Sequence, residues 1–187
     1  MNRRKWLQGL FVVASGGAIS GQAVAAAAAP SKEVEALQKN WRRLLAAGVP
    51  APSPSDKVKL ANDEWRKRLD KMQYNVLREE GTERAGTSPL NDEKRAGVYA
   101  CAGCDLPLFT SDMKFDSGTG WPSFFTTIPV VFETKTDRHL IYARTEYHCT
   151  RCGGHHGHIF DDGPRPTGLR YCNNGVALKF IPNRAKA

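Results

Sequence analysis

Cys101-Ala102-Gly103-Cys104 and, further along, Cys149-Thr150-Arg151-Cys152 decide how this chain folds. Each is a C-x-x-C turn that can present two sulfurs to one metal ion at about 2.3 Å, and together they make the ligand set of a tetrahedral zinc site. Between Cys104 and Cys149 lie 44 residues, where a simple zinc ribbon has roughly 15–20. The metal therefore ties two distant strand ends together rather than closing one hairpin. Gly103, Gly153 and Gly154 ease the backbone close to the metal. The alternative is a pair of redox-active C-x-x-C sites, but neither sits in a thioredoxin-like strand-helix pattern. Four thiolates leave His155 no vacancy and substrate no open position, so the zinc is structural.

The fifth cysteine, Cys172, lies in Arg170-Tyr171-Cys172-Asn173-Asn174. A lone cysteine is often just a small buried hydrophobe. On an extended strand, however, Arg170 and Asn174 share the face of Cys172. A positive charge and an amide donor there favour the thiolate and lower a pKa that starts near about 8.5. Three of the five histidines lie in His155-His156-Gly157-His158. On a regular strand His156 and His158 share a face and His155 points away. His155 and His158 act together only if the alternation breaks, and Gly157 is where a bulge or turn can do this. A solvated histidine patch beside the metal is the alternative. Trp121, held between Gly120 and Pro122, is either core or a wall for a small apolar substrate group.

The chain has 187 residues and a formal charge of +8. Arg3, Arg4 and Lys5 precede Trp6-Leu7, an apolar run and a small-residue tract ending at Pro30, the pattern of an export signal. The paired arginines point to the twin-arginine route and a periplasmic destination. Gly16, Gly17 and Gly21 interrupt the apolar run, so stable membrane insertion after cleavage is not expected; an uncleaved anchor is the alternative. Removing Arg3, Arg4 and Lys5 lowers the charge from +8 to +5, and a four-thiolate zinc centre lowers it to about +3. Nothing in so mild a balance demands nucleic acid. These signals divide the chain into a signal peptide (1–29), a helical extension with a Pro-rich linker (30–60), one domain (61–183) and a tail (184–187).

Leu37, Trp41, Leu44 and Leu45 predict one helix over Glu33–Ala47, ended by Gly48 and followed by Pro50, Pro52 and Pro54. Whether this piece packs on the domain is open. Asn62 or Asp63 is expected to cap a helix to about Leu69, and Asp70 with Gln73 to make a capping box for the next, stopped by Gly81. Val98–Ala100, Val130–Phe132, Leu140–Ala143 and Val176–Phe180 read as strands. The core is mainly β, antiparallel, with short helices at its N-terminal side.

Together these pieces closely resemble the B-type methionine sulfoxide reductases. The matching motifs are Cys101–Cys104, Lys114–Phe124, Cys152–His158, Asp161–Pro164 and Pro166–Cys172, in the family's order, across about Asn62 to Pro182. The resemblance implies two antiparallel sheets and a structural zinc on Cys101, Cys104, Cys149 and Cys152. It implies Cys172 as nucleophile, Trp121 holding the sulfoxide methyl, His155, His158 and Asn174 lining the site, and Arg170 supporting the thiolate. His156 stands where the family usually has Leu, and Gly175 where it usually has Ser. Thr119 stands where many members carry a resolving cysteine, so no intramolecular disulfide is expected.

The activity so implied is reduction of methionine-R-sulfoxide, free or in proteins, with His158 and His155 as proton donors and a Cys172 sulfenic acid. A thioredoxin-like protein or small thiol regenerates it. The role implied is repair of oxidised exported proteins by a monomer. The rival readings are a non-catalytic four-cysteine zinc domain that binds protein or nucleic acid, and an exported zinc-storage or thiol-redox protein.

Overall fold

In the computed structural model, residues 31–138 and 143–183 are described. The expected export signal, the expected tail and most of the expected Leu140–Ala143 strand lie outside the described residues. Among the described residues no helix is long and apolar enough to cross a membrane.

Strands β1 (Gly97–Cys101), β2 (Pro107–Thr110), β3 (Lys114–Phe115), β4 (Ser123–Phe124), β5 (Phe132–Asp137), β6 (Arg144–Cys149), β7 (His155–Phe160), β8 (Arg170–Asn173) and β9 (Leu178–Pro182) form two antiparallel sheets. One is three-stranded, in the order β2-β1-β9; the other is six-stranded, β3-β4-β8-β7-β6-β5. Their shared core is aromatic. Phe109 stacks on Phe124 at 3.9 Å between centroids, and Tyr99 meets Phe124 edge-on at 5.1 Å. Burying each such ring contributes roughly 2 kcal/mol.

The first C-x-x-C turns from β1 into β2, and the second from β6 into β7. The 44-residue gap is therefore the chain that leaves one sheet and builds the outer strands of the other.

Three short helices, α1 (Lys32–Lys39), α2 (Asn62–Arg68) and α3 (Lys71–Glu79), precede the sheets. The predicted long first helix is two pieces: α1 stops at Lys39 and a 3-10 turn spans Trp41–Leu44. Asn40, a poor helix former, takes φ −96° and ψ 12° at the break. Bending there lets Leu37 and Trp41 pack against the main core, with Val34 and Leu44 buried. The Gln38 amide donates to Thr126 Oγ1 at 2.9 Å, and Arg43 pairs with Asp112. The extension thus packs on the domain.

Other boundaries move for local reasons. The residue before α2 is Ala61, whose N–H donates to Glu64 Oε2 at 3.0 Å, so Asn62 and Asp63 are helical rather than caps. The Asp70 capping box forms as expected. The left-handed residue after α3 is Glu80, not Gly81. At Gly81 the Asn75 amide occupies the space of a Cβ, with Oδ1 at 2.0 Å, so a side chain there would have to displace it. Val130 sits exposed in a turn at φ +59°, and β5 begins at Phe132. Val176 belongs to a 3-10 turn, and β9 begins at Leu178.

His156 points into the core, fully buried against Phe132 and Tyr147 at ring distances of 5.4 and 6.4 Å. Neither ring nitrogen makes a hydrogen bond of good geometry among the described residues, although the Asn173 side chain lies close enough to favour the proton. Burial, then the neighbouring His155, pushes its pKa from 6.5 down to about 3, with His148 adding to this and Cys104 opposing it. Between those values the unfolded chain binds the proton the folded one refuses, so stability is complete above pH 6.5 and lost as pH falls. His156→Leu removes that loss. Denaturant titrations at pH 7.5 and 5 should show wild type losing about 2 kcal/mol more than His156→Leu between them; equal losses would contradict this account.

Candidate active site and metal centre

The four sulfurs of Cys101, Cys104, Cys149 and Cys152 all lie within 4.8 Å of one another, buried and free of disulfides. Cys101 Sγ is 3.7 Å from Cys152 Sγ, and Cys104 Sγ is 3.6 Å from Cys149 Sγ. A tetrahedron of sulfurs around zinc has edges of about 3.8 Å, so the residues fit a four-thiolate ion. Three cations brace the turns by donating to their carbonyls: Arg78 to Cys152 at 2.8 Å, Lys57 to Thr150 at 2.6 Å, and Arg151 to Cys104. Each places positive charge beside what would be a centre of net charge −2. Val58 N–H also donates to the Arg151 carbonyl at 2.8 Å, so the linker grips the second turn.

Cys172 lies on β8, opposite His158 of β7 on one side and Ser123 of β4 on the other. Directly opposed residues point to the same face of a sheet, with Cβ atoms about 5 Å apart. β7 carries a bulge: Tyr147 pairs with Gly157 but His148 pairs with His155, leaving His156 as the extra residue. The alternation therefore breaks one position before Gly157. His155 and His158 come together with ring centroids 5.6 Å apart, while His156 turns to the core. Gly157 serves a different purpose, since a Cβ there would meet the Cys172 carbonyl at 1.9 Å.

A pocket of about 120 Å³ opens over the thiol, walled by Cys172, Trp121, His158, Phe160, Asn174 and Arg144. The larger groove, along α2 and α3, is walled by residues such as Leu69, Met72 and Tyr74 and contains no thiol or histidine. None of the four clustered cysteines lines the Cys172 pocket.

The site residues divide by what they touch. Trp121 donates its indole N–H to the Glu83 carbonyl at 3.1 Å. His158 Nε2 lies 2.8 Å from Asp137 Oδ2, which also accepts from Arg144 at 2.5 Å. His155 lies behind His158, in an adjoining polar cavity rather than in the thiol pocket. Its Nδ1 is 2.9 Å from Glu146 Oε1, off line for a hydrogen bond. Asn174 reaches the pocket, but its amide is committed: Oδ1 accepts from Glu83 N–H at 2.9 Å and Nδ2 donates to the His156 carbonyl at 3.0 Å. Arg170 does not line the pocket. It holds Asp162 in two bonds of 2.7 and 2.9 Å and stacks 4.3 Å from the centre of Phe160.

The electrostatics correct the expected thiolate. Burial raises the Cys172 pKa above its ordinary 9.0, although Arg170 and the Thr119 hydroxyl pull the other way. Burial also lowers His158 below 6.5, against the pull of Asp137. At neutral pH the resting pair is thiol and neutral imidazole. Sequence reading missed Thr82, Glu83, Asp137, Arg144 and Phe160. Only Thr82 and Glu83 carried a signal, as polar residues just past a helix stop.

An antiparallel two-sheet domain with a four-cysteine centre and a separate thiol facing histidine and tryptophan defines a thiol oxidoreductase class. Residues 69–182 match the SelR domain family. The chain is 53% identical over 128 residues to the "Peptide methionine sulfoxide reductase MsrB" of Pseudomonas putida, covering 67% of this chain and 96% of that protein. Its Agrobacterium fabrum counterpart is 50% identical over 130 residues, 68% of this chain and 96% of the relative. The chloroplastic "Peptide methionine sulfoxide reductase B1" of Oryza sativa is 51% identical over 128 residues, 68% of this chain and 60% of that protein. The chain belongs to this family, the B-type methionine sulfoxide reductases.

Iodoacetamide should label Cys172 alone in the folded, metal-loaded protein. The rate should climb with a midpoint above pH 9.0, the direction set by burial, and higher still in Arg170→Met. A midpoint below 9 would refute this electrostatic picture.

Proposed function

We propose that this chain reduces methionine-R-sulfoxide, in proteins and peptides, to methionine, with Cys172 as the single redox thiol. The observation that carries the reading is the cross-strand pair Cys172–His158 facing Trp121 in one pocket, in a chain whose relatives are named for that reaction.

Trp121 packs on the sulfoxide methyl group, and the fixed sides of the pocket admit one epimer. Neutral His158 donates its Nε2 proton to Asp137 and so offers Nδ1 as an acceptor. It takes the Cys172 proton there as substrate enters, forming thiolate and imidazolium together. The imidazolium then protonates the sulfoxide oxygen as the thiolate attacks sulfur. Two electrons pass from Cys172 to the substrate sulfur. The oxygen ends on Cys172 as sulfenic acid, methionine leaves, and no outside proton is consumed.

Recycling needs an external thiol. Thr119 occupies the place of a resolving cysteine and instead shares hydroxyl contacts with Ser117 at 2.8 Å. The remaining thiols are clustered together. Two equivalents of a small thiol, or one thioredoxin-like dithiol, return Cys172 to the thiol and release water. The clustered cysteines would hold one zinc ion, which would cross-link the two sheets when bound. The basic N-terminus fits export by the twin-arginine route, and the reading extends to repair of oxidised exported proteins by a monomer.

One turnover on R-sulfoxide without reductant, followed by a sulfenic-acid probe, should label Cys172 and nothing else. An internal disulfide would overturn the single-thiol scheme. Cys172→Ser should lose all turnover while keeping its full metal content.

A further inference from the structure

Glu83 is 3% exposed and lies behind the thiol pocket, touching both of its walls. Its carbonyl accepts the Trp121 indole N–H at 3.1 Å, and its own N–H donates to Asn174 Oδ1 at 2.9 Å. Its carboxylate accepts from Gly175 N–H at 2.5 Å and from Val176 N–H at 2.9 Å. Cys172 lies only two residues before Asn174. One residue thus joins the indole wall to the turn that follows the nucleophile. That turn is also tied to β7, because Asn174 N–H and Nδ2 both donate to the His156 carbonyl, at 2.9 and 3.0 Å.

We propose that Glu83 is a positioning residue for the reaction, fixing the separation between Trp121 and Cys172 and so the seat of the sulfoxide methyl group. The inference rests on reading Cys172 and Trp121 as the substrate site. Two neighbouring N–H groups converge on one side chain, and a carboxylate satisfies both with charge-assisted bonds. A glutamine has one acceptor oxygen and would turn an NH2 group toward the second N–H. The space beside Gly175 is filled chiefly by Ser88, with the carboxylate at its edge: a Cβ there would lie 1.9 Å from Ser88 Oγ and 3.2 Å from Glu83 Oε1. With the carboxylate bonds loosened, the segment from Thr82 to Glu83 can shift, and the carbonyl that holds the indole shifts with it.

The test is steady-state kinetics of the full chain on a peptide methionine-R-sulfoxide with excess dithiothreitol. It compares wild type, Glu83→Gln, Trp121→Phe and the double variant, each checked for metal content. Glu83→Gln should raise KM about tenfold with kcat changed less than threefold (a factor of ten is about 1.4 kcal/mol). In the Trp121→Phe background the same substitution should change KM less than threefold, because the indole link is already gone. A merely structural role would lower the active fraction, and hence kcat, at unchanged KM, and that result overturns the proposal. So do full multiplication of the two KM effects and wild-type constants in Glu83→Gln. Should Glu83→Gln fail to fold, Val176→Pro deletes one of the two N–H donors from the other side and must show the same rise in KM. Should wild type show no turnover, the reading of the site falls. Hydrogen exchange of the Trp121 indole N–H then decides the positioning claim alone: faster exchange in Glu83→Gln upholds it and equal exchange overturns it.

Discussion

Strands β7 and β8 approach so closely at Gly157 that the Cys172 carbonyl occupies the space of a side chain, and the site follows from that contact. It fixes the register that sets His158 opposite Cys172. The bulge at His156 adjusts β7 to that register, because the strand must also begin just after Cys152 in the second metal turn. One extra residue absorbs the mismatch, and its consequence is chemical. His155 and His158 fall near each other, and the third histidine turns into the core. The four-cysteine cluster and the thiol are thus separate sites joined by one strand.

The parts of this arrangement legible in the sequence are those with short-range signatures. The C-x-x-C turns, the isolated Cys172, the Gly-Trp-Pro segment and the Asp70 capping box each declare themselves within a few residues. The conditional reading of the histidines, paired only through a break in alternation, also needed nothing beyond local geometry. What escaped depends on closure over long distances. Glu83 reaches Gly175 across 92 positions, and Asp137 meets His158 across 21. No spacing rule ties such residues together before the sheets form. The boundary differences share this cause. The first helix breaks at Asn40 because Trp41 must reach a core built mostly from residues after 65, and Val176 joins a turn because Glu83 claims its N–H.

The thiol shows the same limit in energetic form. Arg170 beside Cys172 reads as a thiolate partner, but its guanidinium is held by Asp162 and its charge only partly offsets the cost of burial. A half-buried, protonated thiol next to a neutral histidine is the resting state these shifts favour. For an enzyme proposed to work outside the cytoplasm with no second thiol at hand, this has a use. A thiol that stays protonated resists chance oxidation, since reactivity follows thiolate character.

The central claim is that one thiol, in a pocket with one tryptophan wall, reduces one sulfoxide epimer. It is tested most directly by measuring kcat/KM for separated R and S methionine sulfoxide epimers in a peptide, with excess small thiol, for wild type and Cys172→Ser. The account predicts turnover of the R epimer at least about a hundredfold above the S epimer, and no turnover of either by Cys172→Ser. Comparable rates on both epimers, or activity that survives without Cys172, would contradict it.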